Sequence, residues 1–569
     1  MIRRHLGTLL VLSLAACAQP QPSGVASGWK FAGKDRITDA QNAVVVSGSP
    51  IASQVGRDIL QQGGNAIDAA VAVGFALAVV HPEAGNIGGG GFLLYRTAAD
   101  GKAYALDYRE EAPSGASRDM YLDPSGDPSE LSVTGALAAA VPGSPAGLVE
   151  MHKRFGRLPF AQVINPAIKL ANEGYLVDSF RYQSIGGDIA RLYLFPASRA
   201  QFLPNNAPPQ PGTTLVQKDL GRTLERIRDQ GAPGFYTGRT ADLIVAEMER
   251  SGGLITHGDL AAYKTYWRDP IVIPYRGDTI YSMPPASSGG TTMGEILNIM
   301  EGYSPLPPFG SPQLMHLESE AMARAFMDRN AYMGDPAFVH NPVEQMLSKS
   351  YAATRRATID PKRATPIKDI KPGLTDGPST THYSIVDAEG NAVSITTTLN
   401  NSYGSAVTVA GAGFLLNDEM DDLASAPGRL NMYGLVQGDS NAIQPGKRPL
   451  SAMSPSMVVG PDGKLILVVG TPGGPRIITM VYHVISNVID HRMSLADAVS
   501  APRLHDQGLP DVVRVEKGGF QQATLDALRK MGHTVSEGGT SGDIEAIIRT
   551  PTGWQGVSDP RYGGGGAGY

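Results

Sequence analysis

Two β-prone runs separated by three residues set the tightest limit on how this chain can fold. Thr380 to Asp387 and Asn391 to Thr398 flank the turn Ala388-Glu389-Gly390. Three-residue hairpin loops favour glycine at a left-handed position, and Gly390 supplies one without a Cβ penalty. Such a loop pairs Asp387 with Asn391, and counting outward sets Thr380 opposite Thr398. Directly opposed side chains sit ~5 Å apart, near enough for one hydroxyl to bond the other. His382 and Ser384 share the face of Thr380, because side chains alternate along a strand. A threonine pair across a hairpin is also an ordinary packing device. What distinguishes this one is the segment before it. From about Ala357 to Ser379 the chain is polar and rich in Pro, Gly, Lys and Asp, which reads as an exposed, mobile linker. A strand that starts directly after such a loop can present a new N-terminus if the Ser379–Thr380 bond is cut.

The first residues read as a targeting segment. Arg3 and Arg4 precede a short apolar run, Leu6 to Leu14, too short to span a bilayer as a permanent helix. Leu14-Ala15-Ala16-Cys17 resembles the lipobox of bacterial lipoproteins, and Cys17 is the only cysteine in the chain. The expectation is a signal peptide over 1–16, a lipid on Cys17 and a Pro/Ser/Gly tether over 17–28. That places the protein in a bacterial cell envelope, periplasmic and attached to a membrane. An ordinary signal peptide with an incidental cysteine is the competing reading. One thiol permits no intramolecular disulfide, so the fold must rest on its core. With 569 residues, 42% of them hydrophobic, the chain has ample material for that core. A net charge of −6 without a basic stripe argues against a nucleic-acid partner.

Between these ends the pattern is mixed. Val44 to Ser47 predicts a buried strand, and Ser53 to Gln62 a helix stopped by Gly63-Gly64. Asn65 then caps a second helix over Ala66 to Val80, ended by His81-Pro82. The run Gly88 to Gly91 lacks the Lys-Ser/Thr ending of a phosphate loop, so it reads as glycines that permit close packing. Pro142 to about Glu301 looks mainly helical, and the region after Thr380 is strand-rich. No His-Glu-x-x-His motif occurs and no second cysteine is present, so neither metal nor cofactor is expected.

Six further motifs accompany the hairpin. They are Gly88 to Gly91, Tyr108-Arg109-Glu110-Glu111-Ala112-Pro113, Asn417-Asp418-Glu419-Met420-Asp421-Asp422, Lys447-Arg448-Pro449-Leu450-Ser451, Gly470-Thr471-Pro472-Gly473-Gly474 and Ser558-Asp559-Pro560-Arg561. With Thr380-Thr381-His382-Tyr383-Ser384, in this order, they resemble the gamma-glutamyltransferase family over nearly the whole chain after the tether. The resemblance implies an α+β fold, the four-layer αββα N-terminal-nucleophile architecture. Two subunits cut from one precursor form it jointly, a large one over 29–379 and a small catalytic one over 380–569.

The resemblance also implies roles. Thr380 is the nucleophile, and its base is its own α-amine, which exists only after the preceding bond is cut. Maturation is intramolecular: Thr380 Oγ attacks the Ser379 carbonyl, the acyl group shifts from N to O, and water hydrolyses the ester. Thr398 orients the nucleophile, and backbone N–H groups at Gly473 and Gly474 hold the oxyanion. The substrate is glutathione or another γ-glutamyl small molecule, with water or an amino acid as acceptor. Its α-carboxylate is held by Arg109 and Ser451. Its α-ammonium is held by Asn400, Glu419 and Asp422. Tyr433 belongs to a lid over Pro427 to Gly438. Ala452 departs from the pattern, since many members carry a second serine there and alanine donates no side-chain hydrogen bond. Read without the family, Arg109 is a surface salt bridge to Glu110 or Glu111, and Asp418 to Asp422 a calcium loop or solvated turn. Two other functions stand beside this one: a glutaryl or cephalosporin acylase of the same fold, and an uncleaved lipoprotein that binds glutamyl peptides.

Overall fold

A computed structural model describes residues 24–370, 380–425 and 438–569. Cys17, the signal peptide, most of the tether, Ser379, Tyr433 and nearly all of the lid lie outside the described residues.

The valine-rich run Val44–Ser47 and the Thr380 hairpin are central strands, buried along their whole length. They belong to a seven-stranded sheet ordered Gly565–Gly568, Val44–Ser47, Thr380–Val386, Ala392–Thr398, Gly90–Arg96, Ala103–Tyr108 and Tyr266–Arg268. A second sheet of seven runs Arg36–Ala40, Gly553–Ser558, Glu545–Thr550, Leu465–Gly470, Ser456–Val459, Asp278–Ser282 and Ile271–Tyr275. Neighbouring strands within each are antiparallel.

Period-two alternation divides each strand between two interfaces. Val44, Val46, Leu94 and Val386 meet Met457, Val468, Ile547 and Trp554 of the facing sheet. Val45, Leu93, Ile385 and Val393 point the other way, into a helical layer that includes Ala66–Val80. Helices Gly289–Glu301, Pro312–Tyr332 and Arg476–Ile489 cover the second sheet. The result is the four-layer αββα arrangement, α+β in class. Segments before and after position 380 contribute strands to both sheets, so neither owns a core of its own.

Local chemistry explains the elements that bracket the site. Asn65 accepts from the N–H groups of Ile67 and Asp68 at 3.0 Å each, and Asp68 accepts from Asn65 N–H at 2.9 Å. This reciprocal cap starts a helix that is apolar all round because it is buried on all sides. The glycine run is a close approach, as its composition predicted. A Cβ at Gly89 would lie 2.0 Å from the Thr398 carbonyl oxygen, and one at Gly91 2.5 Å from that of Thr396.

The 142–301 region is mainly helical, and it also supplies Tyr266–Arg268, Ile271–Tyr275 and Asp278–Ser282 to the sheets, short strands whose alternation the helices on either side obscure. Two expectations need correction. The front of the linker is docked. Ile359 and Ile370 are buried, Ala364 N–H donates to the Met531 carbonyl at 2.7 Å, and Thr365 N–H donates to Glu320 at 2.9 Å. Its polar composition reflects outward side chains on a tied backbone. The tether is likewise anchored within its described part: Ala26 N–H donates to the Gly519 carbonyl at 3.0 Å, and Val25 bridges Phe520. Among the described residues no helix is long and apolar enough to cross a membrane.

Candidate active site

Thr380 opens its strand at an overhang. On one side all seven residues of Thr380–Val386 pair with Ala392–Thr398, and Thr380 lies opposite Thr398. On the other side Val44–Ser47 reaches only Tyr383 to Val386. Thr380, Thr381 and His382 therefore project past their neighbour. Thr398 Oγ1 accepts from Asn400 N–H at 2.8 Å, which leaves its hydroxyl proton to donate elsewhere. Asn400 adopts φ 73°, a left-handed conformation that asparagine tolerates better than most residues, and its Nδ2 donates to the Asp418 carbonyl at 3.0 Å. Two residues beyond Thr380, His382 bonds Thr396 Oγ1 at 2.9 Å and Ser384 Oγ at 3.1 Å. Burial pushes its pKa down to about 3, so it is a neutral spacer between the sheets.

Around that overhang one cavity of about 10 Å³ is lined by Thr380, Thr398, Arg109, Asn400, Glu419, Asp422, Ser451, Ala452 and Gly474, with Met453 and Ile477. Residues from six separate stretches of sequence meet there. Gly473 stands one residue outside the lining. Gly473 and Gly474 have φ of 138° and 59°, conformations that favour glycine. A far larger groove, about 1000 Å³, runs past Tyr104, Trp267 and Phe338 and does not reach Thr380.

Arg109 is buried, with 1% of its surface exposed, and so is no surface salt bridge. Its guanidinium bonds Glu419 and Asp422, lies 3.4 Å from Glu110, and donates through Nε to the Pro449 carbonyl at 3.2 Å. Glu111 pairs with Arg448 instead, at 2.8 Å. Three carboxylates thus crowd one cation. Burial raises all three acids, with Arg109 pulling the other way: Glu110 to about 7, Glu419 well above its ordinary range, and Asp422 upward. Glu419 Oε2 is buried with no hydrogen-bond partner among the described residues, an acceptor still to be used. Arg329 also holds Asp422 down by its charge, and its Nε donates to Ser288 Oγ at 2.6 Å. Sequence reasoning missed this second cation. It lies in a long helix with no motif of its own, and only the fold brings it near.

The acidic run is a single 3₁₀ turn, Glu419–Asp422, and no calcium loop. Its carboxylates diverge: Asp418 bonds Asn401, Asp421 accepts from Ser132 at 2.6 Å, and Glu419 and Asp422 take Arg109. Asn417 pins the turn. Its Nδ2 donates to the Gly88 and Ala140 carbonyls at 2.8 Å each, and its Oδ1 accepts from Ala140 N–H at 2.9 Å and Glu419 N–H at 3.0 Å. Beside Ala452, Ser287 and Ser288 do not replace the missing hydroxyl. They donate to the Met453 and Ser451 carbonyls at 2.6 Å each. Ser451 is thus the hydroxyl that this stretch presents to the cavity.

The family model of gamma-glutamyltranspeptidase matches residues 52–569. The chain belongs to this family. It is 48% identical to a glutathione hydrolase proenzyme of Pseudomonas sp. (strain A14), over 90% of this chain and 89% of that one. A glutathione hydrolase proenzyme of Escherichia coli (strain K12) is 46% identical, over 92% of this chain and 91% of that one. Among solved structures, a cephalosporin acylase from Bacillus halodurans superimposes with a TM-score of 0.82 at 29% identity, covering 94% of this chain and 97% of that one.

The crowding around Arg109 has a measurable consequence. An acid whose folded pKa is raised binds more protons folded than unfolded, so stability falls as pH rises between the two values. For Glu110 that window runs from 4.5 to about 7. Glu110→Gln should lose stability less steeply than the parent across it. Denaturant unfolding at about pH 5 and about pH 7 reads the difference. Parallel slopes in parent and variant would show that Glu110 titrates alike in both states.

Proposed function

We propose that the protein is a self-cleaving γ-glutamyltransferase and glutathione hydrolase that works through Thr380. One observation carries the reading: a single cavity joins the Thr380–Thr398 pair to a buried cation with carboxylates on either side. Cleavage at Ser379–Thr380 divides the chain into 29–379 and 380–569 and frees the Thr380 α-amine. Its reference pKa of about 7.7–8.0 leaves a neutral fraction near pH 7 able to take the hydroxyl proton. Thr380 Oγ attacks the γ-carbonyl, the Gly473–Gly474 backbone stabilises the oxyanion, and the amine departs with the proton. Water or an amino acid then attacks the glutamyl ester and restores the threonine. The neutral donor at Thr398 holds Thr380 Oγ in line.

A cavity of about 10 Å³ holds roughly one water. Entry of the glutamyl head therefore requires an exchange of partners. The α-carboxylate takes over Arg109 and bonds Ser451, while the α-ammonium takes Glu419, Asp422 and the Asn400 amide. The protein's own charges are already buried, so they need little further desolvation, and each charge of the incoming zwitterion finds a partner in place of water. An acyl group with a carboxylate and no ammonium frees the acids without repaying them. This argues for glutamyl over glutaryl substrates, despite the close superposition on a cephalosporin acylase. The lipobox-like run before Cys17 supports a lipid anchor in a bacterial envelope.

Thr380→Ala should leave one uncut, inactive chain, seen as a single mass by denaturing mass spectrometry. Cutting of that variant at the same bond would assign cleavage to another protease. Cys17→Ser should move activity from the membrane to the soluble envelope fraction with its specific activity intact; unchanged membrane association would rule the anchor out. Asp422→Asn should lower kcat/KM for a γ-glutamyl anilide by roughly 30- to several-thousand-fold, the ~2–5 kcal/mol that a buried, unpaired charge costs. The same variant should not lower kcat/KM for a glutaryl anilide, since glutaryl has no ammonium for Asp422 to pair. Equal losses on both substrates would mean that Asp422 positions Arg109 and does not read the ammonium.

A further inference from the structure

We propose that His316, Glu320 and His533 form a binding site for a divalent transition-metal ion of the zinc type. The three offer one ligand atom each, all within 4.8 Å of one another. His316 and Glu320 stand one turn apart on the helix Pro312–Tyr332 and share its face. His533 comes from the other side of the position-380 boundary. It follows Gly532, whose left-handed conformation ends the helix Gln522–Met531 and turns the chain back.

The hydrogen bonds define the protons. His316 Nε2 lies 2.8 Å from the Asp360 carbonyl, which can only accept, so Nε2 carries the proton. In the neutral ring Nδ1 then presents a lone pair. A ligating histidine whose other nitrogen donates to a backbone carbonyl is the usual arrangement around bound metals. His316 Nδ1 lies 2.7 Å from His533 Nε2, so a proton on His533 now bridges the two rings. A cation can replace that proton. His533 binds as its other tautomer, the proton passing from Nε2 to Nδ1 through solvent, with no redox change.

Tetrahedral bonds of ~2.0–2.1 Å set two ligand nitrogens about 3.3 Å apart, so the rings need part by only roughly 0.6 Å. Glu320 is held for the task. It accepts from Thr365 N–H at 2.9 Å, Thr365 Oγ1 at 2.6 Å and Arg324 Nη1 at 2.7 Å. A carboxylate has about four lone-pair sites, so one remains. Two imidazoles and a carboxylate are a zinc donor set, and imidazole nitrogens disfavour Mg²⁺ and Ca²⁺. His533 is only part-buried, which gives the ion a way in and a solvent position for a fourth ligand. The expectation of no metal rested on contiguous motifs, and no contiguous motif contains a ligand 217 positions away.

If the chain is cut as proposed above, two ligands belong to the large subunit and one to the small, so the ion becomes a staple between them. The test uses untagged, chelator-stripped protein titrated with Zn²⁺ by calorimetry, in the parent and in the uncut Thr380→Ala chain. One ion per molecule should bind at micromolar affinity or tighter in both, with Mg²⁺ failing to compete, and Zn²⁺ should raise the melting temperature. His533→Gln, at a part-exposed position and still able to hydrogen-bond, should weaken binding by at least about tenfold and abolish the melting shift. No stoichiometric binding, or binding unchanged in His533→Gln, would overturn the site. Zinc bound by a parent that stays uncut would uphold the site and defeat only the staple.

Discussion

The strand that begins at Thr380 outruns its neighbour by three residues, and the rest of the site is arranged around that overhang. A central strand is normally paired on both edges, which leaves no room for chemistry. Here Val44–Ser47 stops opposite Tyr383, so the first turn of side chains gains space while the strand stays anchored through Val386. Register carries the same weight. Ile385 and Val393 face the helices, while Ser384 bonds the Glu545 carbonyl and Ser394 the Val469 carbonyl across the gap between the sheets. A slip of one residue would send every one of these side chains to the wrong layer, and Thr380 with them. Burial on both faces therefore fixes the position of Thr380.

Against that rigid edge, the proposed substrate pocket is built from charge. Arg109 enters on the strand edge after Ala103–Tyr108, and Glu419 and Asp422 on a turn that Asn417 fastens to the Gly88 and Ala140 carbonyls. Leaving any of these charges buried alone would cost several kcal/mol. The pocket is consequently never neutral scenery: it is satisfied internally or by a zwitterion of matching geometry. In the proposed function, specificity follows from this balance. A ligand that satisfies only the cation strands the acids, and one that satisfies only the acids strands the cation.

Much of this was legible in the residues, and the limits have physical causes. The hairpin register followed from Gly390 alone, because a three-residue loop admits one pairing. Asn65 announced its helix, since a capping side chain acts on the next three residues. These are local constraints, and local constraints are written locally. The strands Ile271–Tyr275 and Asp278–Ser282 were hidden because five residues of alternation carry little signal beside long helices. The linker was misread in part because composition reports where side chains point and is blind to where backbone N–H groups are tied. Arg329 and the His316–Glu320–His533 group could not be found at all without the fold, since their meaning lies in contacts across distant elements. Arg109 shows the middle case. The family motif named it, yet its burial and its two acid partners emerge only when the 419–422 turn is brought over it.

The interleaving of the two segments bears on why a cut at Thr380 can be tolerated. Each seven-stranded sheet contains strands from before and after that position, and the apolar cluster between the sheets draws on both. The proposed cut at the start of a central strand would therefore leave this shared core intact. The pairing of Thr380–Val386 with Ala392–Thr398 would then hold the proposed new N-terminus in place. The order of events also follows. In the proposed mechanism the α-amine does not exist in the continuous chain, so the first attack by Thr380 Oγ would rely on the pre-built geometry around Thr398 and the Gly473–Gly474 loop. The fold would then be complete before cleavage, and cleavage would add only the base. On that proposal one constellation of residues serves first on its own backbone and afterwards on a substrate, because both reactions present a carbonyl to the same hydroxyl at the same overhanging strand end.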